Sequence, residues 1–266
     1  MSSSNRRERD LARAKRERQI AAAQARSERQ KKSFSLVAVA AVAAAVILGY
    51  LLLKPPADET ATPSPSNTPS TSASPSSTLA CDPAPTGNSS PQQWAKAPAA
   101  NISSGTATWT LNTNCGEIVI ELLPTEAPQT VSTFAFLTEN NYFDNTPCHR
   151  ITTAGLYVLQ CGDPTGTGTG GPGFSYADEN LPIDVTGINY PTATVAMANS
   201  GANTNGSQFF IVYGDTTLNP AYTIFGKVTK GLDIVQAIAA QGDVTGAGDG
   251  APRQGIGILD ATIVKG

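Results

Sequence analysis

The chain has 266 residues, with 18 Lys and Arg against 21 Asp and Glu, and a single histidine. Twelve of the basic residues lie at or before Lys54, and only Lys96, Arg150, Lys227, Lys230, Arg253 and Lys265 follow. The near-neutral total thus hides a basic N-terminus and an acidic remainder, which argues against a nucleic-acid surface on the C-terminal part.

Residues 1–33 mix Arg, Lys, Glu, Gln and Ala without an apolar stripe, and read as a charged tail. Residues 34–53, "FSLVAVAAVAAAVILGYLLL", are an uncharged apolar run of 20. As a helix this run spans roughly 30 Å, the thickness of a bilayer core. Eleven Lys and Arg precede it and Lys54 follows. The positive-inside rule therefore predicts a cytoplasmic N-terminus and an extracytoplasmic remainder, tethered to the membrane by one helix. A cleaved signal peptide would have a shorter apolar region of about 7–15 residues and a small-residue cleavage site. The run here is longer and is followed by "KPPADET", so a retained anchor is the expectation. Residues 54–80 are dominated by Pro, Ser and Thr and predict an unfolded spacer.

From Cys81 to the C-terminus the composition is that of a folded domain. "TATWTL" (106–111) and "GEIVIELL" (116–123) alternate in the manner of strands. "APQTVSTFAFLTENN" opens with Pro128 in a first-turn position and puts Val131, Phe134, Ala135 and Leu137 on one face, predicting a helix. Short strands are expected at "HRIT", "YVLQCG", "ATVAMA", "SQFFIVYG", "TIFGKV" and "GILDATIV". A second helix fits "GLDIVQAIAAQ", with Leu232, Val235, Ile238 and Ala239 on one side and Gly242 closing it. Eight short strands and two isolated helices argue for a mainly β fold, a closed or nearly closed antiparallel barrel.

The inventory for bond-breaking chemistry is thin. His149 is the only histidine, and a lone histidine on a strand reads as a satisfied core residue rather than a triad member. "GTGTGGPG" (166–173) lacks the ending of a phosphate loop and reads as a flexible glycine loop. Asp178 and Glu179 suggest an exposed or structural ion pair more than an acid–base couple. Four cysteines, Cys81, Cys115, Cys148 and Cys161, allow three disulfide connectivities; with no C-x-x-C spacing, a metal site is not expected. Two features stand out. Arg150 is the only arginine between Arg29 and Arg253, and offers five fixed donors suited to carbonyl oxygens. The uncharged stretch "MANSGANTNGSQFFIVYG" (197–214) sets amides against a segment that reads as core strand. Such amides must be hydrogen-bonded or line a surface that binds peptide backbone.

In order, "FDNTPCHRIT", "YVLQCGD", "GTGG", "ADEN", "VAMANSGANTNGSQFFI", "FGKV" and "GLDIVQAI" resemble the cyclophilin-type peptidyl-prolyl cis/trans isomerases over residues 104–266, with an insert similar to the actinobacterial branch. The resemblance implies an eight-stranded antiparallel closed barrel with two capping α-helices and a groove on one outer face, no cofactor, and proline-containing unfolded or secreted polypeptides as partners of a monomeric catalytic domain. It implies a catalytic set of Arg150, Gln160 and Asn199. Tyr157, Val158, Ala198, Gln208, Phe210, Leu218 and Tyr222 would bind substrate, with Phe210 as the floor of a proline pocket. It places Cys148 and Cys161 on neighbouring strands, predicting a Cys148–Cys161 bond and leaving Cys81–Cys115 to tie an N-terminal extension (to about residue 103) to the second strand. Thr217 stands where many members have tryptophan, so strong binding of the family's cyclic-peptide inhibitor is not expected. The rival to an isomerase is a non-catalytic proline-peptide binding module.

Overall fold

A computed structural model describes residues 80–88 and 90–266. The basic tail, the apolar run at 34–53 and the spacer up to residue 79 lie outside the described residues. Among the described residues no helix is long and apolar enough to cross a membrane.

All eight expected strands form. β1 (Ala107–Thr113) and β2 (Gly116–Leu122) make a hairpin, burying Ala107, Trp109 and Leu111 from one strand and Ile118, Ile120 and Leu122 from the other. This is the period-two alternation of a strand with one face in the core. The helix α1 (Pro128–Glu139) starts at Pro128 and buries Val131, Phe134 and Leu137. Its N-terminal amides find a partner that the sequence does not advertise. The Glu179 carboxylate accepts from the Gln129 and Thr130 N–H groups and the Thr130 hydroxyl, at 2.8 to 2.9 Å. Glu179 is therefore a helix cap, placed where the helix dipole favours negative charge, and among the described residues it forms no ion pair.

The remaining strands are β3 (Thr146–Pro147), β4 (Arg150–Thr152), β5 (Val158–Cys161), β6 (Thr194–Met197), β7 (Phe209–Val212), β8 (Ile224–Lys230), β9 (Asp249–Gly250) and β10 (Gly257–Lys265), with α2 (Leu232–Ala240) after β8. They form one antiparallel sheet in the order β3-β10-β1-β2-β8-β6-β7-β5-β4-β9. The eight expected strands are the contiguous run from β10 to β4, and the structure adds β3 and β9, two residues each, at the ends. Only Cys148 and His149 separate β3 from β4 along the chain, so the sheet has to curl until its two edges meet. The expected closed eight-stranded barrel is corrected accordingly: among the described residues no continuous ladder joins β4 to β10, and the short β3 extends the β10 side and β9 the β4 side.

The core inside the curl is aromatic. Trp109 packs on Phe134 and Phe209 with ring centroids 5.1 and 5.0 Å away, and Phe134 on Phe225 at 4.5 Å. α2 closes the other side with Val235 and Ile238, and Gly242 (φ 77°) takes up the left-handed conformation that ends it. Both expected disulfides, Cys81–Cys115 and Cys148–Cys161, are formed. The first pins the N-terminal extension, which then runs over α1. Trp94 sits 5.1 Å from the Phe136 ring, and the Asn101 and Ile102 N–H groups donate to Ser132 Oγ at 2.9 Å.

Candidate active site

Register explains how the site is assembled. Arg150 pairs with Gln160, Gln160 with Phe210, Phe210 with Ala196 and Ala196 with Ile224. Directly paired residues share a face, so these five form one row across β4, β5, β7, β6 and β8. The adjacent row, Ile151, Leu159, Ile211 and Val195, points the other way into the main core. This settles why "FFIV" is apolar throughout. Phe209 and Ile211 fill the core, while Phe210 and Val212 belong to a smaller outer cluster with Val158, Tyr190 and Ala196.

That outer cluster floors a cavity of about 150 Å³ lined by Arg150, Leu156, Val158, Gln160, Ala198, Asn199, Phe210, Leu218 and Tyr222. Phe210 is 5% exposed, with the Tyr222 ring 5.6 Å and the Tyr190 ring 6.1 Å away. Tyr190, fully buried, donates its hydroxyl to the Tyr222 carbonyl and accepts the Tyr222 N–H, both at 3.1 Å, so it braces the wall from behind.

The structure brings together all but two of the residues expected around this cavity. Gln208 lies just outside it, in an adjoining cleft of about 580 Å³ that also touches Gln160, Ala198 and Asn199, and to which Gln93 of the N-terminal extension contributes. Tyr157 is the correction. It is 36% exposed and packs on the Tyr213 ring at 6.0 Å, while Leu156 takes the lining position. Alternation is the reason: if Gln160 and Val158 face the cavity, so does Leu156, and Tyr157 must face away. Thr217 is not in the lining and donates to the Gly187 carbonyl at 3.1 Å.

A chain of hydrogen bonds runs along the polar edge. Arg150 Nε and Nη2 donate to the two oxygens of Asp249 at 2.7 and 2.8 Å, and Nη1 donates to Gln160 Oε1 at 3.2 Å. Gln160 Nε2 donates to Gln208 Oε1 at 2.9 Å, and Gln208 Nε2 donates to the carbonyls of Gly168 and Gly170. The Asp249 bond raises the Arg150 pKa above its already high ordinary value, so the guanidinium is cationic at every pH of interest. Asp249 had no signal in the sequence beyond the general need of a lone half-buried arginine for a counter-ion.

The amides of the 197–214 stretch are accounted for. Asn199 donates to the Ala221 carbonyl at 2.8 Å and accepts the Gly201 N–H at 3.1 Å, which fixes it at the cavity lip. Asn205, fully buried, donates to the Ala177 carbonyl and to Asp178. Asp178 also accepts the Asn203 N–H at 2.9 Å, so it braces the 203–206 turn, and among the described residues it forms no ion pair.

The glycine loop is not the loose segment expected. It wraps the buried Asp163 carboxylate, which accepts from the Thr165 N–H and hydroxyl, the Thr167 hydroxyl and the Gly168 and Gly170 N–H groups at 2.7 to 3.4 Å. Gly170 sits so close to that carboxylate that a Cβ would overlap it. The loop thus holds an anion of its own, and its outward carbonyls orient Gln208. A second loop repeats the design: Asp243 accepts from the Thr245 N–H and hydroxyl and from the Gly248 N–H. His149 lies beside the first loop, partly buried, and its two buried ring nitrogens have no hydrogen-bond partner among the described residues; burial lowers its pKa from 6.5 and favours the neutral form.

These carboxylates predict an acid response. Burial alone would raise the Asp163 pKa, but bonds from Thr165, Gly170 and Gly168 outweigh it and hold it below the usual 3.8. The Thr245 hydroxyl, with loop N–H groups, lowers Asp243 to about 2. A carboxyl whose folded pKa is depressed contributes stability that is full above its unfolded pKa and lost as pH falls through the folded one. The melting temperature is therefore expected to hold steady down to about pH 4 and then fall toward pH 2. Asp163→Asn should already be destabilised at neutral pH and show a shallower acid fall; an unchanged profile would refute the assignment.

The chain is similar to known proteins in sequence and in fold. The family description that matches is "Cyclophilin type peptidyl-prolyl cis-trans isomerase/CLD", over residues 108–263. The Mycobacterium leprae protein named "Probable peptidyl-prolyl cis-trans isomerase B" is 48% identical over 157 residues, covering 55% of this chain and 53% of that protein. Its namesake in Mycobacterium tuberculosis is 44% identical over 162 residues, covering 57% of this chain and 52% of that protein. The chain thus spans about half the length of these curated relatives. A crystal structure of a cyclophilin type peptidyl-prolyl cis-trans isomerase of Cryptosporidium parvum superposes with a TM-score of 0.52 at 31% identity, covering 60% of this chain and 99% of that one. A second structure of that enzyme, in the presence of the dipeptide Ala-Pro, gives 0.51 at 32% identity with the same coverage.

Proposed function

Because the chain belongs to the cyclophilin-type peptidyl-prolyl cis/trans isomerase family, we propose that it accelerates rotation about X–Pro bonds in polypeptide substrates. The observation that carries this reading is the Arg150–Gln160 pair at the lip of an apolar cavity floored by Phe210. An X–Pro amide is held planar by resonance, with a barrier of about 18–20 kcal/mol. Twisting the bond localises the lone pair on the proline nitrogen and removes the double-bond character. No proton, nucleophile or cofactor is needed for that step. The five guanidinium N–H groups include three committed to Asp249 and Gln160. One on Nη1 and one on Nη2 remain to donate to the proline nitrogen or its carbonyl as charge gathers there. Phe210, Val158, Leu156, Leu218 and Tyr222 would seat the pyrrolidine ring. Gln160 and Asn199 would anchor the backbone on one side, so that only the other side turns. Contacts of this kind accelerate rotation only if they are stronger in the twisted state than in the planar ones.

We place the isomerase outside the membrane, tethered by the apolar run at 34–53, with secreted or unfolded chains as substrates. Support comes from the charge asymmetry around that run and from two disulfides, which persist in oxidising compartments. The deciding experiment is NMR exchange spectroscopy on an Ala-Pro-containing peptide with the purified full-length chain. Line broadening of the cis and trans signals at substoichiometric protein supports the isomerase. Saturable binding with no increase in exchange would instead establish the non-catalytic binding module.

A further inference from the structure

Arg150 occupies a half-exposed edge position, with 36% of its side chain accessible. A long, flexible side chain at such an edge has many rotamers, and only a few aim its donors into the cavity. Gln160 touches a single nitrogen, at 3.2 Å, and cannot by itself choose among them. Asp249 can, because it meets Nε and Nη2 together through both of its oxygens. A two-point contact fixes the plane of the guanidinium as well as its position. With Nε and one Nη2 hydrogen turned toward Asp249, and one Nη1 hydrogen toward Gln160, one donor on Nη1 and one on Nη2 stay unused.

Asp249 is itself held in place. Its strand β9 pairs with β4, Asp249 opposite Thr152 and Gly250 opposite Ile151. The segment before it is organised around Asp243, and the Gly248 carbonyl accepts the Thr153 N–H at 2.9 Å. The polar edge therefore runs between two carboxylate-centred loops, Asp243 behind Asp249 at one end and Asp163 behind Gln208 at the other. Both loops read Asp-x-Thr-Gly, and in both the carboxylate accepts from the Thr two residues on and from the Gly five residues on.

From this geometry we infer that Asp249 is a positioning residue for Arg150: it presents the guanidinium to the bound X–Pro bond and touches no substrate itself. The inference rests on the isomerase reading above. The opposite effect of Asp249 is also physical, since a carboxylate beside the guanidinium weakens its positive potential. The two effects predict changes in kcat of opposite sign when Asp249 is removed.

The test uses the full-length chain with Asp249→Ala and Asp249→Asn. Asp249→Ala is expected to lower kcat about tenfold, within the range that misplacing a reacting group costs, with KM changed less than about twofold. Asp249→Asn keeps one carbonyl oxygen as acceptor and should lose less. In an Arg150→Ala background Asp249→Ala should have no further effect, because Asp249 acts only through Arg150; a general structural role would be additive. Thermal melting should be little altered, as expected for an exposed pair, Asp249 being 57% accessible. Unchanged or raised kcat in Asp249→Ala would overturn the inference, and so would an additive double variant. The Arg150 Nε–Hε resonance gives a readout independent of turnover: slow solvent exchange in the parent chain that is lost in Asp249→Ala supports positioning, and an unaltered signal refutes it. A parent chain that held Arg150 in this way yet accelerated no exchange would sink the isomerase reading alone.

Discussion

Replacing Arg150 by alanine is expected to lower kcat/KM for an X–Pro peptide by about 100-fold, the lower end of what losing one preorganised donor to a developing charge costs. That factor corresponds to about 2.7 kcal/mol of transition-state stabilisation. The lower end is appropriate because the side chain is 36% exposed, so water screens part of the guanidinium field. The loss should fall almost entirely on kcat. The apolar floor of Phe210, Val158 and Leu218 is untouched by the substitution, so peptide affinity is expected to change less than about threefold. Arg150→Lys separates charge from geometry. An ammonium keeps the charge but cannot bridge both Asp249 oxygens and still donate into the cavity, so a loss of roughly tenfold is expected. Exchange spectroscopy and peptide titration on the same samples decide the matter. Undiminished kcat in Arg150→Ala would mean that the cavity accelerates rotation, if at all, by desolvation of the ring and not through the guanidinium. A loss confined to KM would make Arg150 a binding residue only.

How much of this was readable beforehand follows from the length of each signal. The strands at 106–111 and 116–123 and both helices have enough residues to show a period, and each formed within a few residues of where it was read. β3 and β9 have two residues each, too few for any period, and they exist only because the curled sheet brings its edges together. Arg150 was visible because it is alone; Asp249 was not, because the pair joins residues 99 apart and an aspartate between glycines reads as a turn. The exchange of Tyr157 for Leu156 has a different origin. Adjacent residues of a strand face opposite ways, so Tyr157 and Val158 could not both line the cavity. Alternation counted back from Gln160 would have selected Leu156. The glycine-rich loop at 166–173 reads as loose because its partner, the Asp163 carboxylate, precedes it and is an unremarkable residue in the sequence.

Removing both disulfides should take away most of the stability of the domain. In the chain-entropy account, closing loops of 13 and 34 residues contributes about 3 and about 4 kcal/mol. Together these rival the roughly 5–15 kcal/mol of net stability that a domain possesses. The two bonds should nevertheless differ in kind. Cys81–Cys115 holds the extension to the β1–β2 turn, and the extension has a second hold in Trp94, which packs on Phe136 and Tyr142. Cys81→Ala with Cys115→Ala is therefore expected to lower the denaturation midpoint while leaving kcat near its parent value. Cys148–Cys161 is a different case. The β4–β5 ladder has only three residue pairs, Arg150 with Gln160 first among them, and the bond staples the end beside that pair. Cys148→Ala with Cys161→Ala should cost about 3 kcal/mol and also lower kcat several-fold at a temperature where the variant remains folded, because the Arg150–Gln160 contact loses its fixed spacing. Urea denaturation with and without reductant, with thiols counted, measures the first effect, and exchange spectroscopy on the folded variant measures the second. If kcat were unaffected by losing Cys148–Cys161, the bond would act on the unfolded chain alone. If it fell as expected, isomerase activity would itself depend on an oxidising compartment, which ties the chemistry of the site to the side of the membrane on which the basic tail and apolar run would leave it.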